Sequence, residues 1–290
     1  MIVMVEKSLL IVILMEEINM DKLSITECLR LKGITIIGHD FSYDKNISKR
    51  DITSQIELIV EIQKSLIGCN FPGLSRIRSI IGREVEEYKV QVKKLQRHYE
   101  YIVSKPCTSE IENLILSDGK MMLKKAKRAV NYIYEHDYYG VIKRSMNREE
   151  ICIGKVDRNN LRKVEGNIEI GTIKGMAYNL VEEDLYYYIK RLQRKEFQID
   201  EKELIEMFVR ASHLSFNSLD YLKGLCSYPK DFMKIWERYR DRKKDGINEI
   251  HHSLSVCNLE CKEDKKEKTV EEILSELKRS LKYESKSFII

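Results

Sequence analysis

Proline is almost missing from this chain, with three residues in 290, and glycine is sparse at thirteen. These scarcities exclude collagen-like, proline-rich and low-complexity sequences and leave room for many helices. An excess of one charge is missing too. Lys and Arg number 51 against 46 Asp and Glu, a net charge of +5. The chain therefore lacks the clustered basic excess of a dedicated nucleic-acid binder. No membrane span is expected: the apolar stretch from Ser8 to Met15 is far shorter than the roughly 20 residues a bilayer requires. Glu6 and Lys7 precede it, Glu16 and Glu17 follow it, and no small-residue cleavage site accompanies it. It reads as a buried strand, not a signal peptide. The seven cysteines are odd in number and scattered, a usage that fits free thiols in a reducing, cytoplasmic compartment.

What is present is a globular, helix-rich pattern. Hydrophobic residues make up 43%, too many for disorder, and the length suits one large domain or two small ones. Asp51 is placed to N-cap a helix whose apolar face is Ile52, Ile56, Ile59, Ile62 and Leu66, ending at Gly68; Pro72 and Gly73 mark a loop. Ile81, Val85, Tyr88, Val92, Leu95, Tyr99 and Ile102 recur at steps of four and three, one narrow stripe about six turns long. A helix packed on a core accounts for such a stripe more often than a coiled-coil seam. Ser109 and Glu112 have capping-box spacing. Gly119 is expected to interrupt the helix that follows, before Met122, Ala126, Ala129, Ile133 and Tyr134 turn inward.

Between Ile151 and Ile173 the pattern changes to short apolar or alternating pieces punctuated by Gly154, Gly166 and Gly171, which predict small strands. Helix resumes over 182–194. Asp200 with Glu203 caps another, and Pro229 opens one carrying Phe232, Ile235, Trp236 and Tyr239. The mixed-charge run from Lys262 to Lys268 reads as a solvated linker. Thr269 with Glu272 then starts an amphipathic helix whose face of Ile273, Leu274, Leu277 and Leu281 needs a surface to dock on, in this chain or in a partner.

Few groups announce chemistry. His251, His252, Cys257 and Cys261 offer zinc-type ligands, but adjacent histidines rarely both bind and the Cys-x3-Cys gap is loose, so a bland surface segment competes with a metal site at His251, Cys257 and Cys261. No phosphate-cradling glycine loop and no nucleophile elbow occur. Lys124, Lys125, Lys127 and Arg128 read as a solvated helix face. Tyr186, Tyr187 and Tyr188 cannot all share one side of a helix.

The region from Lys120 to Arg240 resembles the C-terminal lobe of a kinase-like fold, and more narrowly the bacterial CotS-type spore-coat proteins, relatives of aminoglycoside and choline phosphotransferases. Cys152-Ile-Gly-Lys-Val-Asp-Arg-Asn-Asn160 resembles the family's catalytic loop Cys-His-His-Asp-x-x-x-x-Asn. Gly166-Asn-Ile-Glu-Ile-Gly-Thr-Ile-Lys174 stands where the family has Gly-Asn-Val-x-x-Ile-Asp-Phe-Asp. Asp184-Leu185 matches an Asp-Leu that opens a helix. Tyr228-Pro-x-x-Phe232 with Arg238-Tyr239 matches a late aromatic helix. Upstream, Gly38 through Ile67 resembles the hinge and first helix of the same lobe.

The resemblance implies a mostly α fold with a small β component. A truncated N-terminal lobe would occupy residues 1–38, a helical kinase-like lobe 39–242, and a charged linker with an amphipathic tail helix 243–290. It also implies where this chain departs from catalysis. The family's proton-accepting Asp falls on Lys155, its metal-binding Asp on Thr172 and the next acid on Lys174. An ammonium with an ordinary pKa of about 10.4 cannot take the acceptor's proton, and it repels Mg2+, which prefers carboxylate oxygens. Asn160 alone survives as a ligand. Lys155, Asn160, Thr172 and Lys174 would line a relict cleft, with separate surface loops as the bland alternative. The expectation is a pseudokinase-like, non-catalytic protein of the spore coat, binding other proteins or itself and needing no cofactor. One rival is an active small-molecule phosphotransferase using ATP and Mg2+ with Asp157 and Glu169 as its acids. The other is a helical interaction module built on the 81–102 stripe and the tail.

Overall fold

The structure, a computed structural model, describes residues 24–42, 47–68, 77–106, 109–252 and 269–284, with the backbone alone over 243–252. The apolar stretch 8–15, the Pro72–Gly73 loop, the charged run 262–268, Cys257 and Cys261 lie outside these residues, as do the side chains of His251 and His252. In chain order the elements are α1 (Ile25–Leu31), β1 (Ile34–Ile36), α2 (Lys49–Leu66), α3 (Arg83–Val103), α4 (Glu110–Glu135), α5 (Tyr138–Asn147), β2 (Ile151–Cys152), β3 (Leu161–Val164), β4 (Asn167–Ile170), β5 (Ala177–Tyr178), α6 (Glu182–Arg194), α7 (Glu201–Ala211), α8 (Phe216–Ser227), α9 (Lys230–His252) and α10 (Val270–Glu284). They group into two compact units, one of Met1–Arg83 with His136–Leu222, the other of Glu84–Glu135 with Lys223–Ile290. No helix among the described residues is long and apolar enough to cross a membrane.

In the first unit α2 is central. Ile52, Ile56, Ile59, Ile62 and Leu66 are buried, and so are Leu58 and Val60. The helix is therefore covered on more than one side, packing on α6, α7, β2 and β3. Asp51 does not N-cap it, contrary to the expectation from sequence. Ser48 is the cap, its Oγ accepting the Asp51 N–H while the Asp51 carboxylate accepts the Ser48 N–H. Asp51 is thus the reciprocal partner three residues in. Helix geometry ends at Leu66, and Gly68 follows with φ +64°.

The sheet in this unit has the order β1-β4-β3, with β1 parallel to β4 and β3 antiparallel to it. Glu165 and Gly166 both take positive φ in the two-residue turn of the β3–β4 hairpin, the geometry that matches strand twist. A separate pair, β2 with β5, is antiparallel. Beside it lies a buried ion network. Arg144 pairs with Glu150 at 2.9 Å and Glu182 at 2.7 Å, both carboxylates fully buried, and donates to Ser218 at 2.6 Å. Next to it Glu183 accepts from Tyr221 at 3.0 Å and from Asn179 at 2.6 Å. Burial works against the Arg144 charge, but the two carboxylates outweigh it and raise its pKa.

In the second unit the α3 stripe is realised: Val85, Tyr88, Val92, Leu95 and Ile102 are buried. α4 runs unbroken through Gly119, again contrary to expectation. A Cβ there would lie 3.2 Å from the Trp236 ring and 3.2 Å from Ile115, so the glycine admits the indole and does not break the helix. The spacing of Ser109 and Glu112 yields half a capping box: Ser109 Oγ accepts the Glu112 N–H, while the Glu112 carboxylate pairs with Lys105 at 2.9 Å. α10 docks within its own unit on α9 and α4, burying Ile273 and Leu277. Its last residue, Glu284, accepts the Asp231 N–H at 2.8 Å and the Phe232 N–H at 3.1 Å. A carboxylate remote in sequence thereby caps the first turn of α9.

Candidate functional site

The two loops that the sequence marks as chemical are held side by side by the β2–β5 pair, with Ile151 opposite Tyr178 and Cys152 opposite Ala177. Past Cys152 the backbone is fastened from beneath. The N–H groups of Ile153 and Gly154 donate to the two oxygens of Asp184, at 3.0 and 2.9 Å. Gln63 of α2 donates to the same carboxylate at 3.0 Å and to Val181 O at 3.0 Å. Burial raises the pKa of the fully enclosed Asp184 carboxyl, while those three donors oppose the rise. Gly154 takes φ +81°, and a Cβ on it would stand 2.5 Å from the Gly175 carbonyl oxygen. Only glycine fits this crossing of the two loops.

Asn160 ties the loops together. Its Nδ2 donates to Lys155 O at 2.8 Å and to Thr172 O at 3.0 Å, and its Oδ1 accepts the Thr172 N–H at 2.7 Å. The Asn160 carbonyl takes the Gly171 N–H at 2.8 Å. Asn160 and Thr172 are thus brought into contact with the Lys155 backbone, and the Lys174 N–H lies 3.4 Å from Thr172 Oγ1. The Lys155 side chain is exposed and reaches Asp40, with Nζ 3.4 Å from the carboxylate. Asp40 belongs to the segment after β1, which also clasps the second loop. Gly38 N–H donates to Gly171 O at 2.8 Å, and a Cβ on Gly171 would meet His39 O at 2.5 Å.

The nearby acids point elsewhere. Asp157 is buried and pairs with Arg191 at 2.8 Å. Glu169 lies between the buried Ile168 and Ile170 and pairs with Arg162 at 2.6 Å. The anchor role of Asp184, the Gln63 bridge and the Asp40 and Arg191 partners are not anticipated by the sequence reading. Asp184-Leu185 was visible as a motif, but Gln63 stands 121 residues from its partner and carries no local signal.

No protein-family model matches this chain, and no curated protein matches it. Among solved structures it is similar to the aminoglycoside phosphotransferase from Alicyclobacillus acidocaldarius subsp. acidocaldarius DSM 446. The TM-score is 0.62 and the identity 10%, over 90% of this chain and 78% of that one. The chain shares the kinase-like fold of that protein. The Asn160 Oδ1 accepts a backbone N–H, Asp157 and Glu169 pair with Arg191 and Arg162, and the Lys155 ammonium faces the Asp40 carboxylate. Among the described residues no group of three or more His, Cys, Asp or Glu side chains is arranged to hold a metal ion.

Proposed function

We propose that this protein is a non-catalytic, pseudokinase-like member of the kinase-like fold. In this reading residues 1–38 belong to the small lobe, 39–242 form the helical lobe and 243–290 the tail. In this reading it is a degenerate CotS-type protein of the spore coat or a spore-associated structure, acts through contacts with other proteins, and requires neither ATP nor Mg2+. The observation that carries the reading is the junction at Asn160. Its amide is spent joining the two loops through Lys155 and Thr172, where the resembled family sets its base and its metal-binding acid.

The rival, an active phosphotransferase, has in its favour the name of the structural neighbour. It would need Asp157 and Glu169 freed from Arg191 and Arg162. Nucleotide titration decides between them. A ligand binding only the folded state at 100 times its Kd stabilises by about 2.7 kcal/mol. The expected result is no shift of the thermal midpoint with ATP, with or without Mg2+, and no phosphate transferred to an aminoglycoside. A saturable shift accompanied by transfer overturns the proposal. Localisation of a tagged chain in sporulating cells tests the structural role, and absence from the spore overturns that part alone.

A further inference from the structure

In the first unit a groove of about 560 Å³ opens between α2 and the loop leading into β3, and its charges are segregated. Asp51, Glu57 and Glu61 line it from the helix, while Arg158, Arg162 and Lys163 line it from the other side. β3 is at the edge of its sheet. The Gly171 N–H to Asn160 carbonyl bond sets the alternation along β3. Arg162 and Val164 therefore direct their backbone groups to β4, and Leu161 and Lys163 direct theirs outward. Leu161 is satisfied, its N–H by Asp157 O at 2.9 Å and its carbonyl by Gln55 Nε2 at 3.1 Å. The N–H and C=O of Lys163 face out with no strand beside them among the described residues. Such an edge is a template for a further strand.

We propose that this groove binds an extended peptide of alternating acidic and basic residues, paired along the outer edge of β3. The span from Asp51 to Glu61 along α2 is roughly 15 Å at about 1.5 Å per residue, the length of four to five extended residues at about 3.3 Å each. Two ion pairs now cross the groove, Arg158 with Asp51 at 3.1 Å and Lys163 with Glu61 at 2.6 Å. Exposed pairs of this kind contribute little to stability, so a ligand that offers each partner an opposite charge can exchange them. Glu57 is exposed and has no ion-pair partner among the described residues, which leaves it for a ligand lysine or arginine. Backbone bonding to Lys163 then supplies the register.

Fluorescence anisotropy with a labelled heptapeptide of alternating lysine and glutamate tests the proposal on the full chain. The expected result is saturable binding that weakens with added salt and falls about tenfold, or about 1.4 kcal/mol, in Glu57→Lys. That position is exposed, and an unchanged thermal midpoint verifies that the variant folds. The same peptide N-methylated at alternate residues is expected not to bind. The proposal is overturned by no saturable binding, by equal binding to Glu57→Lys, by equal binding of heptalysine or of the N-methylated peptide, or by competition from free lysine and glutamate at matching concentrations.

Discussion

Asp184 does more for the loop at 152–160 than any residue in the loop itself. Replacing it with Ala leaves the Ile153 and Gly154 N–H groups and one Gln63 donor buried without an acceptor, a loss on the order of 3 kcal/mol. Urea denaturation should show it, with Asn recovering part of the loss. The same carboxyl and that of Glu150 give the protein a signed response to pH. Burial raises both pKa values above the ordinary 3.8 and 4.5, against the pull of Asp184's donors and of Arg144 on Glu150. Each group therefore holds its proton more tightly folded than unfolded. Its contribution is full below the ordinary value and disappears as pH rises through the folded one. Glu150→Gln is expected to lessen the fall in stability above about pH 4.5, read from denaturation midpoints at successive pH values. None of this was legible in the sequence: Arg144 and Glu182 are 38 positions apart, and nothing local links an arginine on one helix to an acid opening another.

Periodicity carried the helices well because burial of one face leaves its mark every three or four residues. The α3 stripe, the bounds of α6 and the apolar face of α10 all follow it. Punctuation was less reliable. Ser48 took the cap expected of Asp51, because a capping box read from one member has two solutions three residues apart. Gly119, a helix breaker by propensity, serves tertiary packing against Trp236. Gly119→Val is accordingly expected to cost roughly 1–3 kcal/mol by overpacking, measured from the thermal midpoint. The tail helix yields a second expectation at this scale. Glu284→Ala leaves two N–H groups of the first turn of α9 without their acceptor and should destabilise by roughly 0.5–2 kcal/mol, the usual worth of a cap. The pairing of β1 with β4 lay beyond any periodic signal, since Ile34 meets Ile168 only once the whole first unit has closed.

At the scale of the whole molecule, the order of landmarks from Cys152 to Tyr239 led to the kinase-like fold, although each motif alone was weak. Order along the chain restricts topology even where the residues differ, and 10% identity accompanies the shared fold. The site was less legible than the fold. The sequence located Lys155, Asn160 and Thr172 but not what Asn160 does with them. Lys155→Asp with Thr172→Asp is expected to introduce a Mg2+-dependent rise in thermal midpoint relative to the parent chain, because it places two carboxylates at the Asn160 junction. The fastening of that junction bears on how the chain can change. Asp184 holds the Ile153 and Gly154 N–H groups, Gln63 braces Asp184 from α2, and Gly154 and Gly171 pass close under the Gly175 and His39 carbonyls; none of these contacts uses the side chains at 155, 172 or 174. Substitutions at those three positions therefore leave these fastenings in place. The shape of the two loops is thus independent of whichever chemistry those side chains carry.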